Sequence, residues 1–210
     1  MVCVGRNYAA HARELSNEVP TAPFFFLKPA SSAVGAPGPI VVPRGADAQH
    51  EVELAVEFGD ALHRVSALDA ERAAFDAVRG YRVAVDVTAR AWQSQAKAGG
   101  LPWTRAKGAH TFLPLGDLVS RDDALAALGG DVARAEIWLR VNGRDRQRDS
   151  LLHMVFGIPQ LIAHVTSFMR LEPGDLLLTG TPSGVAEIKP GDVVEFGGLG
   201  RAYRFDCVGE

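Results

Sequence analysis

Residues 50–58 read HEVELAVEF, a stretch in which acidic and apolar side chains alternate. Successive side chains of a β-strand point to opposite faces, so this period of two predicts a strand that buries Val52 and Leu54 on one face. The carboxylates of Glu51 and Glu53 then lie side by side on the other face. Like charges this close repel each other unless a cation neutralises them. The pattern therefore predicts either a solvated polar face, which is the commoner case, or a metal-binding pair.

A third carboxylate, Asp86, lies near the end of the apolar run YRVAVDV at 81–87. An acid in such a position either turns to solvent or is held by a partner. Grouped with Glu51 and Glu53, it would supply three hard oxygen donors, which suit Mg²⁺ or Mn²⁺ better than zinc. The sequence alone does not place Asp86 beside Glu51.

Three further groups contain residue types that take part in catalysis or binding. His11 and Glu14 lie three apart in a stretch of helical composition, where the carboxylate can fix the imidazole tautomer and raise its basicity. Lys107 lies between turn residues, and the run TGTPSG at 179–184 can place hydroxyl and N–H donors around an anion. The ordinary alternatives are a solvated helix face, a surface lysine and a tight turn.

The composition of the 210 residues limits the classes of fold and of binding partner that are possible. The chain has 22 Lys and Arg against 25 Asp and Glu, so we expect no general electrostatic grip on nucleic acid. Hydrophobic residues make up 47% of the chain, which excludes disorder along its whole length and allows a sizeable core. Two cysteines, Cys3 and Cys207, are too few for a disulfide framework or a zinc site. A small or metal-bound partner is expected.

The stretch MVCVGRNYAAHARE meets a charge at Arg6 after five apolar or small residues, so it lacks the apolar core of a signal peptide. No window approaches the 18 uninterrupted apolar residues of a membrane-spanning helix. These features predict a cytoplasmic protein that has no membrane partner.

Several segments have helical composition. The segment ALDAERAAFDAVR at 67–79 predicts a helix anchored by Leu68, Phe75 and Val78 and stopped by Gly80. The other predicted helices span 7–15, 89–98, 122–128 and 158–168.

Short apolar runs predict more strands than helices, and Asn142-Gly143 predicts a hairpin turn between strands at 135–141 and 144–148. The alternation of strands and helices is too irregular for a doubly wound sheet, and no Gly-rich phosphate loop follows a strand. We expect a single domain over residues 1–210, of class α+β and mainly β, with antiparallel or mixed sheets and a few short helices.

Seven separated blocks of the sequence together resemble the fumarylacetoacetate hydrolase family. In chain order they are VGRNYAAHARE, FFLKP, HEVELAV, DVTAR, GLPWTRAK, VNGRDRQ and LTGTPSGV, and they run from about Cys3 to Val208. The chain looks most like the short members of the family, which are acylpyruvate hydrolases, fumarylpyruvate hydrolases and oxaloacetate decarboxylases. The resemblance implies mixed β-sheets rolled into a sandwich-like barrel, assembled as a homodimer.

The resemblance also assigns roles to individual residues. It implies a divalent metal, Mg²⁺ or Mn²⁺, on Glu51, Glu53 and Asp86. It implies catalytic roles for Lys107 and for a dyad of His11 and Glu14, the latter on a lid-like segment at about residues 6–20. It implies that Gln93 and Thr181 bind substrate.

From this resemblance we expect a metal-dependent hydrolase that cleaves the C–C bond of acylpyruvate-type 2,4-dioxo acids, such as acetylpyruvate or fumarylpyruvate. A small 2-oxo acid would bind the metal, and the metal with Lys107 would stabilise the pyruvate enolate that leaves. The alternatives are an oxaloacetate decarboxylase or a dienedioate isomerase of the same family. A non-enzymatic binding protein is a third possibility, against which the intact acids and lysine count.

The predicted metal site can be tested by removing one charge. We expect Glu53→Gln to lower Mg²⁺ affinity and catalytic activity together, because the amide supplies a weaker ligand than the carboxylate. Calorimetric titration with Mg²⁺ measures the first effect. Metal binding as tight as that of the unmodified protein would show that Glu53 is not a ligand.

Overall fold

A computed structural model describes the backbone of residues 1–210 and every side chain except that of Phe75. The predicted role of Phe75 as a helix anchor therefore lies outside the described residues. Strands hold 35% of the chain and helices 24%, and the sheets are curled. The predicted α+β, mainly β class is confirmed.

The helices are short. They are α1 (Ala9–Glu14), α2 (Ala70–Ala77), α3 (Arg90–Ala98), α4 (Thr104–Lys107), α5 (Arg121–Ala127) and α6 (Ile158–Thr166), with single 3₁₀ turns at Ala30–Ser32, Val132–Arg134 and Leu151–His153. Of the helices described here, none has the length and apolar run needed to cross a membrane.

The strands form three sheets. In chain order they are β1 (Val2–Val4), β2 (Phe25–Leu27), β3 (Ala33–Gly35), β4 (Ile40–Val42), β5 (Ala48–His50), β6 (Val52–Phe58), β7 (Val78–Val85), β8 (Thr88–Ala89), β9 (Leu113–Leu115), β10 (Val119–Ser120), β11 (Glu136–Val141), β12 (Arg144–Ser150), β13 (Leu176–Leu178), β14 (Ala186–Glu187), β15 (Val193–Gly198) and β16 (Arg201–Gly209).

The largest sheet has eight strands, in the order β2-β1-β13-β6-β7-β9-β3, with β10 on β7. Strand β6 lies in its middle and pairs antiparallel with both β13 and β7. Both faces of β6 are buried: Val52 and Leu54 belong to the main core, whereas Ala55 packs in a second cluster on the opposite face. The face that carries the glutamates is therefore not a solvated one.

Glu57, a buried acid of β6, has compensating partners. Glu57, at the far end of the strand, is 5% exposed. It accepts a hydrogen bond from Arg79 at 3.1 Å and another from Arg82 at 2.6 Å. A buried carboxylate is stable only when it is paired in this way, takes up a proton or binds a cation, which leaves Glu51 and Glu53 to be accounted for.

A five-stranded sheet, in the order β12-β11-β15-β16-β4, packs against the first through contacts of β11 with β6 and of β15 with β7. The predicted hairpin is confirmed: β11 and β12 are joined by Asn142 and Gly143, both with positive φ, as a type I′ turn requires. A small third sheet, β14-β5-β8, carries the chain directly into Glu51.

The prediction for the helix at 67–79 is wrong at both ends. Leu68 precedes the helix and is 97% exposed, so it anchors nothing. Val78 begins β7 and pairs with Phe58 of β6, because strand pairing overrides the helical composition there. Gly80 lies inside β7 and pairs with Glu57, so it does not stop a helix.

The reason for a glycine at position 80 is close packing of backbone. A Cβ atom built there would collide with the carbonyl oxygen of Val119, on β10. We expect Gly80→Ala to lower the free energy of unfolding by about 2 kcal/mol through overpacking, as measured by urea denaturation. Gly35→Ala is the control, because a Cβ there meets nothing within 4 Å. Equal stability of the two variants would contradict this account.

Candidate active site

Three carboxylates meet where β6 begins and β7 ends. Glu51 links β5 to β6, Glu53 lies on β6, and Asp86 directly follows β7. The Asp86 N–H donates to the Glu51 carbonyl at 2.8 Å, which holds the two chain segments together. One carboxylate oxygen from each of the three residues lies within 4.8 Å of the others, and all three side chains are buried. The structure thus brings Asp86 beside Glu51, which the sequence left open.

Lys107 closes one side of this acidic triad. It ends the short helix α4, which the sequence did not predict, and it is 2% exposed rather than a surface residue. Its ammonium donates to Glu51 Oε2 at 2.9 Å and to Asp86 Oδ2 at 2.5 Å. Burial opposes its charge, but Asp86 and Glu51 together raise the pKa of Lys107, so the side chain stays protonated.

Lys28 is a site residue to which the sequence analysis assigned no role. Its Nζ lies 2.8 Å from Asp86 Oδ1, and the side chain is fully buried. The ammonium also lies within hydrogen-bonding distance of the carbonyls of Val87, Phe112 and Lys107. A lysine within the apolar run FFFLKP was the available signal, because lysine is rarely buried without a specific partner.

The donor set fits a divalent cation. Asp86 Oδ1 is buried, and Lys28 Nζ, at 2.8 Å, is the one donor near it among the described atoms. Glu53 accepts a backbone hydrogen bond from Gly180 at 2.7 Å. Burial, followed by the charges of Asp86 and Glu51, raises the pKa of Glu53 well above its ordinary value. Three converging hard oxygens with this excess of lone pairs could bind a metal such as Mg²⁺ or Mn²⁺.

Arg90, at the start of α3, organises the other side of the triad. Its guanidinium donates to Glu51 Oε1 at 2.5 Å, to Gln93 Oε1 at 2.7 Å and to Gln49 Oε1 at 2.8 Å. Although burial opposes it, the charges of Lys107 and Arg90 hold the pKa of Glu51 far below its usual range. The amide of Gln93, a predicted substrate-binding residue, is thereby fixed next to the triad.

A buried amide fixes the Thr181 hydroxyl. Gln147, on β12, donates from Nε2 to Thr181 Oγ1 and to the Pro182 carbonyl, each at 2.8 Å. Its Oε1 accepts from His50 Nδ1 at 2.9 Å and from the Val52 N–H at 3.1 Å. Because Thr181 Oγ1 accepts from Gln147, its own proton is left to donate elsewhere.

The predicted dyad lies on α1. His11 is 5% exposed, and its Nδ1 lies 3.4 Å from Glu14 Oε2. Glu14 Oε1 accepts from the Gly184 N–H at 2.9 Å, which ties the helix to the loop that carries Thr181. Arg6 and Ser16, on either side of α1, both have left-handed backbone angles.

One cavity collects most of these side chains. Its lining includes six of the eight predicted site residues, namely His11, Glu51, Glu53, Gln93, Lys107 and Thr181, together with Arg6, Arg90, Lys97, Phe24 and Trp103. The remaining two, Asp86 and Glu14, contact members of that lining. Residues from distant parts of the chain thus converge on one pocket above the triad.

Comparison with known proteins gives matches along almost the whole chain. The family profile described as "Fumarylacetoacetate (FAA) hydrolase C-terminal" matches residues 1–203. The mitochondrial oxaloacetate decarboxylase of Dictyostelium discoideum is 44% identical over 212 residues, which cover 99% of this chain and 93% of that protein. The mitochondrial oxaloacetate tautomerase of Arabidopsis thaliana is 45% identical over 208 residues, covering 98% and 89%.

Solved structures have the same fold. A fumarylpyruvate hydrolase from Pseudomonas aeruginosa, in complex with Mn²⁺ and pyruvate, superposes with a TM-score of 0.87 at 31% identity, covering 100% of this chain and 89% of that one.

The Gln147 network yields a stability prediction. We expect Gln147→Leu to lower the free energy of unfolding by about 2 kcal/mol, because His50 Nδ1 and the Val52 N–H lose a buried acceptor. Urea denaturation measures the loss. Arg144→Leu, at an exposed position of the same strand, is the control and should change stability by less than about 0.5 kcal/mol. If both variants unfold at the same urea concentration as the unmodified protein, the network is not structurally important.

Proposed function

Because the chain belongs to the fumarylacetoacetate hydrolase family, as its sequence resemblance indicated, we propose that it is a metal-dependent enzyme that decarboxylates oxaloacetate through an enolate. The expected acylpyruvate hydrolase activity has less support than this alternative, since the two named relatives act on oxaloacetate by name. Both reactions need a 2-oxo acid and both form an enolate. The name of the second relative, a tautomerase, is consistent with the same intermediate.

The observation that carries the proposal is the position of Lys107. A buried ammonium within 2.9 Å of two of three converging carboxylates places a fixed positive charge beside a site that suits a divalent cation. When bound by Glu51, Glu53 and Asp86, such a cation supplies Lewis-acid stabilisation of negative charge on the 2-oxo oxygen of a substrate. Preorganised charges of this kind lower the barrier because they act where charge develops.

In decarboxylation the C3–C4 bond of oxaloacetate breaks, CO₂ leaves, and the electron pair moves to the 2-oxo oxygen to form the enolate of pyruvate. Lys107 donates to that oxygen and stabilises its charge. The free proton of Thr181 donates to the 1-carboxylate, and Gln93 borders the same pocket. The enolate then takes a proton at C3 and leaves as pyruvate. No water attack is required, so bond cleavage does not need His11.

A hydrolytic activity is the second candidate, and the His11–Glu14 pair favours it. Glu14 faces Nδ1 of His11, which leaves Nε2 to take a proton from an attacking water at the distal carbonyl of an acylpyruvate. The C–C bond then breaks to give the same enolate and a carboxylic acid. One site would thus perform both reactions, with His11 required for only one of them.

The remaining predictions stay proposals. We propose a homodimer that works on a small 2-oxo acid, with neither nucleic acid nor membrane as a partner, and with Mg²⁺ as the first metal to test. The cytoplasmic location predicted from the sequence also stays a prediction, and the two named relatives are mitochondrial proteins.

The proposal is tested by assaying purified protein with Mg²⁺ on oxaloacetate, acetylpyruvate and fumarylpyruvate. We expect the highest kcat/KM on oxaloacetate, measured as pyruvate release. Glu53→Gln protein in the same buffer is the control, because free divalent cations also decarboxylate oxaloacetate. Oxaloacetate turnover equal to that of the control would overturn the proposal.

The same assay separates the two candidate reactions. We expect His11→Ala to lower hydrolysis of the acylpyruvates by about 10²-fold or more, as loss of a general base does, and to leave oxaloacetate decarboxylation largely unchanged. Equal loss of both activities would show that His11 acts in a step common to both reactions.

A further inference from the structure

Two cations line the cavity without a carboxylate partner. Arg6, between β1 and α1, and Lys97, in the last turn of α3, both border the pocket that contains the triad. Among the described side chains, neither forms an ion pair within 4 Å, whereas Arg90 and Lys107 are each paired with Glu51. Charged side chains in a cleft that lack a counter-charge are available to a ligand.

Aromatic rings hold these two cations in place. The Arg6 guanidinium lies 5.5 Å from the centre of the Phe24 ring, and Lys97 Nζ lies 5.1 Å from that of Trp103. The two rings contact each other edge to face, at 6.1 Å and 84°. A carboxylate would neutralise the cation, whereas a ring face orients the cation and leaves its charge in place. The four side chains therefore form one wall of the pocket that presents positive charge.

Helix geometry aims Lys97 at the same ligand as the residues beside the triad. Arg90, Gln93 and Lys97 are spaced three and four apart on α3 and so share one face of the helix. Lys97 is exposed as a whole, but partial burial of its ammonium, and then the charges of Arg6 and Arg90, lower its pKa. Arg6, Arg90 and Lys97 thus bring three positive charges into one region of the pocket, and a bound anion would relieve the repulsion among them.

The charge balance of the pocket also calls for a second anionic group. The carboxylates of Glu51, Glu53 and Asp86 already face Lys28, Lys107 and Arg90, which are three cations. A bound divalent cation, together with Arg6 and Lys97, would leave positive charge to be matched by the ligand. A substrate with two carboxylates would neutralise more of this positive charge than a substrate with one.

We infer that Arg6 and Lys97 form a distal anion subsite, which binds the far carboxylate of a dicarboxylic 2-oxo acid whose 2-oxo acid end lies at the triad. This inference rests on the proposed function and narrows it, because it selects dicarboxylic substrates over acylpyruvates with an uncharged acyl end, such as acetylpyruvate. Arg6 and Lys97 are specificity residues. In fumarylpyruvate the far carboxylate lies away from the bond that breaks, whereas in oxaloacetate it is the C4 carboxylate, which the subsite would bind before it leaves as CO₂.

The test uses two stable ligands of equal length, 2-oxoglutarate with a distal carboxylate and 2-oxopentanoate without one. Calorimetry with the Mg²⁺-loaded protein measures the Kd of each. We expect the unmodified protein to bind 2-oxoglutarate more tightly. We expect Lys97→Met and Arg6→Met each to weaken 2-oxoglutarate by about tenfold, the effect of losing one charge-assisted hydrogen bond, and to change 2-oxopentanoate less than twofold. Lys97→Arg should retain most of the preference.

Arg105→Met is the matched control. Arg105 also stacks on an aromatic ring, 4.4 Å from the centre of Trp92, but it is not among the residues that line the cavity. The Arg105→Met variant loses one positive charge, as Lys97→Met does, but keeps both subsite residues. A loss of 2-oxoglutarate affinity as large as that in Lys97→Met would show a diffuse field effect and overturn the subsite.

The outcomes separate this inference from the proposed function. Equal binding of the two ligands by the unmodified protein, or equal weakening of both in the Arg6 and Lys97 variants, overturns the subsite and leaves the proposed function standing. If the unmodified protein binds neither 2-oxo acid and does not turn over oxaloacetate, both the proposed function and the subsite fail.

Discussion

The need to compensate three carboxylates inside a sheet governs the architecture of this protein. Glu51, Glu53 and Asp86 lie where two antiparallel strands are buried on both faces, and an unpaired charge there would be unstable. Lys28 and Lys107 are buried in turn because the acids require them. These lysines lie directly after β2 and at the end of the short helix α4, and the same ion pairs hold both segments in place.

Side chains that span sheets extend this constraint beyond the triad. Gln147 belongs to the five-stranded sheet, yet it accepts from Val52 of the eight-stranded sheet and donates to Thr181 in the loop after β13. Glu14 connects α1 to that same loop. The loop is therefore positioned from two sides, which gives a hydroxyl a defined direction without a rigid element of its own.

The predictable parts of the site are those that depend on a local sequence pattern. The alternation around Glu51 and Glu53 predicts their common face, and the strand preceding Asp86 is an apolar run. Burial of that face and the approach of Asp86 to it depend on pairing of β6 with β7, whose partner residues are 20 to 33 positions apart. Neither the period nor the composition of a local segment contains that information. Family resemblance supplied the grouping that local physics could not.

The features that the sequence mispredicted or did not reveal also have specific physical causes. The helix at 67–79 has good helical composition, but its last residues are taken by β7, because pairing with β6 buries them. Lys28 stands one residue before a proline and after three aromatic residues, and nothing local shows that its ammonium meets carbonyls from three other segments. Arg90 matches the DVTAR block, but its contacts with three different side chains require the folded chain.

The position of Lys28 also limits how this site can evolve. Its ammonium satisfies the carbonyls of Val87, Lys107 and Phe112 while it faces Asp86, so one residue supports both the backbone and the charge of the site. A lineage that abandoned the chemistry would still be selected to retain this lysine for folding. Retention of Lys28 in a relative is therefore weak support for activity. Glu53 forms no ion pair among the described side chains and is repelled by Asp86 and Glu51, so its retention is a more informative marker.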